Sequence, residues 1–211
     1  MKFIKIFLLA FLAYLPSAWA TELNMKYSSN YMMPAYIRFK DDGVQYSIRA
    51  NINVPLYKIQ FISSGTQAGN QFYMLNYKDV RNGKTYSQAT IQQQKHIEYG
   101  KLKDGLKTEE LKLPTFDLFT MAFQLTYYEK LPRNFQITNG KKLYPMENVV
   151  VNKSEKTVKH NKQNVKEITY QFSTGDKDIV VKKFEGEKFP RFLSYNRDGD
   201  EYELEFSEFV N

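Results

Sequence analysis

Apolar residues recur at every second position along most of this chain, and at every third or fourth in one stretch. That stretch is TFDLFTMAFQLTYYEKL, from Thr115 to Leu131, held between Pro114 and Pro132. Leu118, Met121, Ala122, Leu125 and Tyr128 fall on one stripe at about 100° per residue, the period of an α-helix. Phe119 and Phe123 widen the stripe past half the circumference, and only Thr120, Gln124 and Tyr127 remain as a polar face. A helix lying on a surface has a narrower stripe, so this one is expected to be gripped from several sides. Asp117 stands where an N-cap is needed. Phe116 and Met121 have the spacing of a hydrophobic staple, and the two prolines stop the helix at its ends.

The period-two segments predict strands joined by short turns. Asp42-Gly43 is expected to be a two-residue turn pairing Phe39 with Tyr46, Ile37 with Ile48 and Ala35 with Ala50 on one face. Pro34 belongs near the start of its strand. Residues 56–62 read as a strand followed by a loop through Ser63, Gly65 and Gly69. Asn82-Gly83 predicts a hairpin between residues 72–80 and 85–94, with TIQQQK kept in the strand. A short strand at 97–102 turns at Lys103-Asp104-Gly105. Beyond the helix, Asn139-Gly140 separates strands at 134–137 and 141–144. Further strands follow at 148–152, 157–160, 165–172 and 179–184. Asp198-Gly199 pairs Tyr195 with Tyr202 and Leu193 with Leu204 facing inward. The expected fold is mainly β: a strongly curved antiparallel sheet, an open barrel or β-spiral, wrapped around one central α-helix. No linker or repeat divides it.

Residues 1–20, MKFIKIFLLAFLAYLPSAWA, have the three parts of a secretory signal peptide. Lys2 and Lys5 give the positive start, residues 6–15 the apolar core, and Ala18-Trp19-Ala20 the cleavage pattern with Ala18 and Ala20 as its small residues. The core is short of the roughly 20 residues a spanning helix needs, and no later stretch is apolar enough. The expectation is an exported protein: residues 21–211 form a single β-rich periplasmic domain, with no transmembrane segment after signal removal. The absence of cysteine rules out a disulfide framework, so burial must hold the fold. The 16 Tyr and 16 Phe suit that task. The formal charge is +7, two of it on Lys2 and Lys5. Such an excess favours anionic surfaces such as phosphate-rich headgroups, or is simply a solvated surface with more Lys than Glu. Export argues against a nucleic-acid partner.

Catalytic patterns are few. There is no cysteine nucleophile, Gly-x-Ser-x-Gly elbow, P-loop, dinucleotide fingerprint or zinc pattern. His96 and His160 lack neighbours at metal-ligand spacing. The run Asn196-Arg197-Asp198-Gly199-Asp200-Glu201 has its glycine fourth, where a calcium loop has it sixth. Glu109-Glu110 and Asp176-Lys177-Asp178 read as solvated carboxylates, and Lys141-Lys142 and Lys182-Lys183 as outward residues near turns. A glycan hydrolase would need two carboxylates on one face, and none can be so placed. The expectation is a non-enzymatic protein with no cofactor and no metal. The over-apolar helix leaves a groove and a filled core both open. Phe119, Phe123, Phe61 and Tyr73 are the candidate lining of an apolar groove.

Three stretches in order, TFDLFTMAFQL, NFQITNGKKLY and KFPRFLSYNRDGDEYELEF, resemble an uncharacterised family of exported Gram-negative proteins, the domain of unknown function 3108. The resemblance covers about residues 46–206, most of the chain after the signal. Asp117 matches the aspartate that opens the family's helix, and Gly140-Lys141 its Gly-Lys/Arg turn. Pro190 and Asp198-Gly199 match its proline-containing strand and closing hairpin. The family's tryptophan before the last strand is missing; Val180 and Val181 occupy that region. The resemblance implies no reaction and gives no residue a catalytic role. Similarity to curved envelope carriers of lipoprotein and lipopolysaccharide is analogy of fold. Two functions are expected from all this. One is a periplasmic protein binding a lipid or other apolar envelope component. The other is a structural or protein-interaction module with a solid core in cell-envelope maintenance.

Overall fold

Period-two alternation becomes strand over most of the chain, and short turns lay consecutive strands side by side. A computed structural model describes residues 20–175, 177–197 and 200–211. The first eight strands are Thr21–Ser29 (β1), Ala35–Asp41 (β2), Gln45–Val54 (β3), Tyr57–Ala68 (β4), Gln71–Arg81 (β5), Lys84–Gln92 (β6), His96–Lys101 (β7) and Lys107–Glu110 (β8). Thr115–Phe116 (β9) leads into the helix Leu118–Tyr128 (α1), followed by Phe135–Thr138 (β10) and Leu143–Met146 (β11). The chain ends with Asn152–His160 (β12), Gln163–Thr174 (β13), Lys177–Phe184 (β14), Phe192–Arg197 (β15) and Asp200–Phe209 (β16). The cleavage residue Ala18, Asp176 and the Asp198-Gly199 turn lie outside the described residues, and Ala20 is exposed.

β12–β16 and β1–β8 build one 13-stranded antiparallel sheet, order β12-β13-β14-β15-β16-β1-β2-β3-β4-β5-β6-β7-β8. The expectation of a mainly β chain with a large antiparallel sheet therefore holds. The sheet stays open: among the described residues its edges are β12 and β8, and no ladder joins them. Two meanders meet at its middle, where β1 pairs with β16 and Met25 lies opposite Phe209. A smaller sheet, β11-β10-β9, has β9 and β10 parallel.

Turn chemistry explains where the register agrees with the sequence and where it does not. Asn82 and Gly83 take φ of 47° and 78°, the left-handed pair that a two-residue hairpin requires, and Arg81 lies opposite Lys84. At Asp42-Gly43 the expected register is wrong by two. Phe39 lies opposite Ile48, Ile37 opposite Ala50, and Ala35 opposite Ile52. The Asp42 carboxylate accepts the backbone N–H groups of Val44 and Gln45, which stabilises a three-residue connection, 42–44, in place of the expected turn centred on Asp42-Gly43. A slip of two keeps every side chain on its face, so Tyr46, Ile48 and Ala50 are buried as expected.

Other boundaries move. Ser63 and Gly65 belong to β4, not to a loop, and the ladder bulges between Ser64 and Gly65. β6 ends at Gln92, because Gln93 and Gln94 turn with φ of 51° and 55°; TIQQQK is strand only in its first half. Residues 148–151 carry no strand, which starts at Asn152. The last hairpin pairs Leu193 with Leu204 and Tyr195 with Tyr202 as expected. Tyr202 is 49% exposed rather than inward, its ring against that of Tyr31.

α1 starts where Asp117 caps it, accepting from the N–H groups of Phe119 and Thr120 at 3.0 and 3.2 Å. Phe116 and Met121, the staple residues, are both fully buried. The polar face of the helix is buried too. Thr120 donates to Asp117 and bonds Ser63 of β4 at 3.0 Å. Gln124 accepts from the Phe72 N–H of β5 at 2.8 Å and donates to the Asn70 and Lys130 carbonyls. Tyr127 donates to Asp41 at 2.7 Å. At the other end Glu129 takes φ 59° and its N–H returns to the Leu125 carbonyl. The helix thus lies in the largest core cluster, with aromatic partners on β2, β4 and β5. A smaller cluster, Met74, Tyr77, Ala89, Ile91, Ile97 and Tyr99, fills the β5–β7 end, and Phe61 touches both.

Candidate functional site

The four residues expected to line a groove do not converge. Phe123 is fully buried, its ring stacked on Phe39 at 4.4 Å and 11°. Phe119 is 8% exposed and meets Phe61 with centroids 6.0 Å apart. Tyr73 stands between buried Phe72 and Met74 in β5 and is 37% exposed. Period two therefore turns it to the opposite face.

Tyr73 lines a surface cleft of about 250 Å³ with Gln71, Leu75, Ile91, Gln94 and residues 111–115. The cleft forms because β5 outruns its neighbour: the β5–β6 ladder begins only at Asn76 opposite Thr90. The segment before the helix covers the gap and is tied down by the Leu111 N–H on the Lys95 carbonyl. Its volume falls below the roughly 300 Å³ at which ligand pockets usually begin.

Charged residues gather in two places, and each includes a lysine read from the sequence as merely outward: Lys183, which is buried, and Lys141. The first is a chain of alternating charges at the C-terminal end of α1. Lys183, 5% exposed in its side chain, bonds Glu129 at 2.7 Å, and Glu129 bonds Lys153 at 2.8 Å. The chain continues through Glu155 and Lys166, each link 3.5 Å, to Glu185 at 2.8 Å. Lys183 also donates to the Thr126 carbonyl at 2.9 Å, placing a cation where the helix dipole is negative. Lys153, then Lys183, hold the Glu129 carboxyl down at about 2. Every member has a partner within the protein, so the chain fastens the helix to β12, β13 and β14.

The second place surrounds Tyr86. The β5–β6 ladder shifts between Asp79 and Val80, which lie opposite Ser87 and Thr85, so Tyr86 is the extra residue of a bulge. A bulge re-aims a side chain. Arg81 lies over the Tyr86 ring at 4.0 Å, and the Lys101 and Lys141 ammonium nitrogens are each 5.8 Å from its centroid. Arg81 is fixed by two-pronged bonds to Asp79, which is 2% exposed. Lys141 was read as a solvated residue because the sequence does not show which strand its turn packs on. Among the described residues, no group of three or more His, Cys, Asp and Glu side chains is placed to hold a metal ion.

No helix among the described residues is long and apolar enough to cross a membrane. The chain matches no protein-family model and no curated protein sequence.

Proposed function

We propose that this is a non-enzymatic protein of the cell envelope, a structural or protein-interaction module with a filled interior that works through its outer surface. One observation carries the choice: α1 is buried around its circumference, with Thr120 and Gln124 0% and 1% exposed and bonded to β4 and β5. This burial supports a helix that serves as core rather than as the wall of a ligand site. Binding of a lipid or other apolar component is the competing reading, and the cleft that Tyr73 lines is small for a lipid.

In this reading the sheet bends over the helix without closing. β14 and β5 stand seven strands apart in the order, roughly 34 Å along a flat sheet at about 4.8 Å per strand. Both touch α1, whose 11 residues span about 16 Å. In the same reading, export to the periplasm rests on residues 1–20, and the likeness to the domain of unknown function 3108 rests on the three stretches that resemble it.

Native mass spectrometry of protein recovered gently from the periplasm, with organic extraction, tests the proposal. The expected result is a single mass beginning at Thr21, with nothing bound, and one specific partner recovered by cross-linking in cells. A lipid that co-purifies in stoichiometric amount would overturn the filled-interior reading.

A further inference from the structure

We propose that the Tyr86 bulge is a binding site for a phosphate-bearing group, with Lys101 and Lys141 as its direct ligands. The site stands apart from the interior and does not depend on how the interior is read.

Three separate elements bring positive charge to one ring: Arg81 from β5, Lys101 from β7 and Lys141 from the loop between β10 and β11. Like charges brought together repel, and a Tyr face offsets only part of that, about 0.5–1 kcal/mol per exposed cation. The neighbouring carboxylates do little more. Asp79 is committed to Arg81. Asp104 reaches Lys101 only at 3.8 Å and is 56% exposed in its side chain. Lys141 has no ion-pair partner among the described residues. An anion at this ring would supply the counter-charge that Lys141 lacks and that Asp104 gives Lys101 only at 3.8 Å.

Lys141 is held in place by backbone. The Gly140 carbonyl accepts the Gly100 N–H at 2.8 Å, and Ser87 donates to the Asn139 carbonyl at 3.2 Å. The Asn139 side chain accepts the N–H groups of Lys141 and Lys142, each at 3.1 Å. Gly140 is needed for this fit. Its φ is 76°, and a Cβ there would meet the Ser87 hydroxyl at 2.8 Å and the Gln88 nitrogen at 3.0 Å. The loop is therefore bolted to β6 and β7, so a ligand would have the Lys141 side chain to order but not its backbone. With the Arg81 fork occupied by Asp79, the groups left to meet an anion are unpaired Lys141 and weakly paired Lys101, ammonium point charges that suit phosphate oxygens more than a planar carboxylate.

The test uses the protein without its signal residues at low ionic strength, where screening is weak. Three probes are titrated against the amide resonances: glycerol 3-phosphate, phosphatidylcholine vesicles with phosphatidylglycerol, and phosphatidylcholine vesicles alone. The proposal expects shifts centred on Ser87, Lys101, Gly140 and Lys141. The double variant K101Q/K141Q should bind about tenfold more weakly, the effect of roughly 1.4 kcal/mol. The K156Q/K159Q double variant on the exposed edge strand β12 removes the same charge and should change binding less than twofold. Response to glycerol 3-phosphate identifies a free phosphoryl ligand; response only to phosphatidylglycerol vesicles identifies a membrane surface. Either supports the site. Equal losses in the two double variants would mean non-specific attraction by net charge, and would overturn it. So would unchanged binding by K101Q/K141Q, equal response to phosphatidylcholine alone, or no response to any probe.

Discussion

Phe123 of the helix lies face to face with Phe39 of β2, ring centroids 4.4 Å apart, and neither side chain touches solvent. Truncation there leaves a cavity that the surrounding strands cannot collapse into. Phe123→Ala is expected to cost about 3–5 kcal/mol in urea unfolding. Tyr73→Ser, on the opposite face and 37% exposed, should cost less than about 1 kcal/mol. Comparable losses at both positions would contradict the division between core and surface.

Asp117 serves the first turn of the helix and the buried Thr120 hydroxyl together. Asp117→Ala removes the cap and leaves that hydroxyl without its acceptor, an expected loss of about 2–4 kcal/mol. Asp117→Asn keeps an acceptor and should lose about 1 kcal/mol. The urea midpoints of the two variants decide whether the carboxylate acts as a cap or only as a charge.

Glu129 carries the acid sensitivity of the helix end. Its carboxyl is held at about 2 in the folded protein, against an ordinary value of 4.5. Because the folded value is the lower one, the stabilisation is fully present above about pH 4.5 and is lost as pH falls toward 2. The side chain is 40% exposed, so solvent screening limits the contribution to about 1 kcal/mol. Glu129→Gln should be less stable than the parent at pH 7, and the gap between their urea midpoints should close by pH 2. A gap that persists at pH 2 would remove Glu129 from the acid response.

Gly65 allows β4 and β5 to approach at the bulge. A Cβ at this position would meet the Tyr73 carbonyl oxygen at 1.9 Å, and that oxygen is backbone. Gly65→Ala should lower the melting temperature by about 4–8 °C, the equivalent of about 2 kcal/mol in a chain of this size. Gly69 has open space around it but φ of 58°, so Gly69→Ala should cost about 1 kcal/mol, from backbone strain alone. If the alanine at 69 proved the worse, close approach would not be the reason for Gly65.

The sequence by itself determined what is decided within a few residues. Asp117 opens the helix and Asn82-Gly83 sets a hairpin, because capping and left-handed backbone depend on the residues that carry them. The far end of the helix is set by left-handed Glu129, three residues before Pro132. The inward faces of β2 and β3 were also legible, and survived a register error of two because side chains alternate with that period. The proposed site was harder to see. Of the four residues named for a groove, Phe61 and Phe119 meet ring to ring while Tyr73 stands on the opposite face. Lys141, read only as an outward residue near a turn, stands beside the Tyr86 ring.

Only the tertiary structure decided the partners. It joined Met25 to Phe209 across the two ends of the chain, gave Gln124 the Phe72 N–H, and set Lys183 on the last turn of the helix. It also placed the Tyr86 bulge beneath a loop more than fifty residues away. Strands with the same alternation are interchangeable on paper. Which of them meet is set by burying the whole sheet and helix at once against the entropy of closing long loops, and no single stretch of sequence contains that balance.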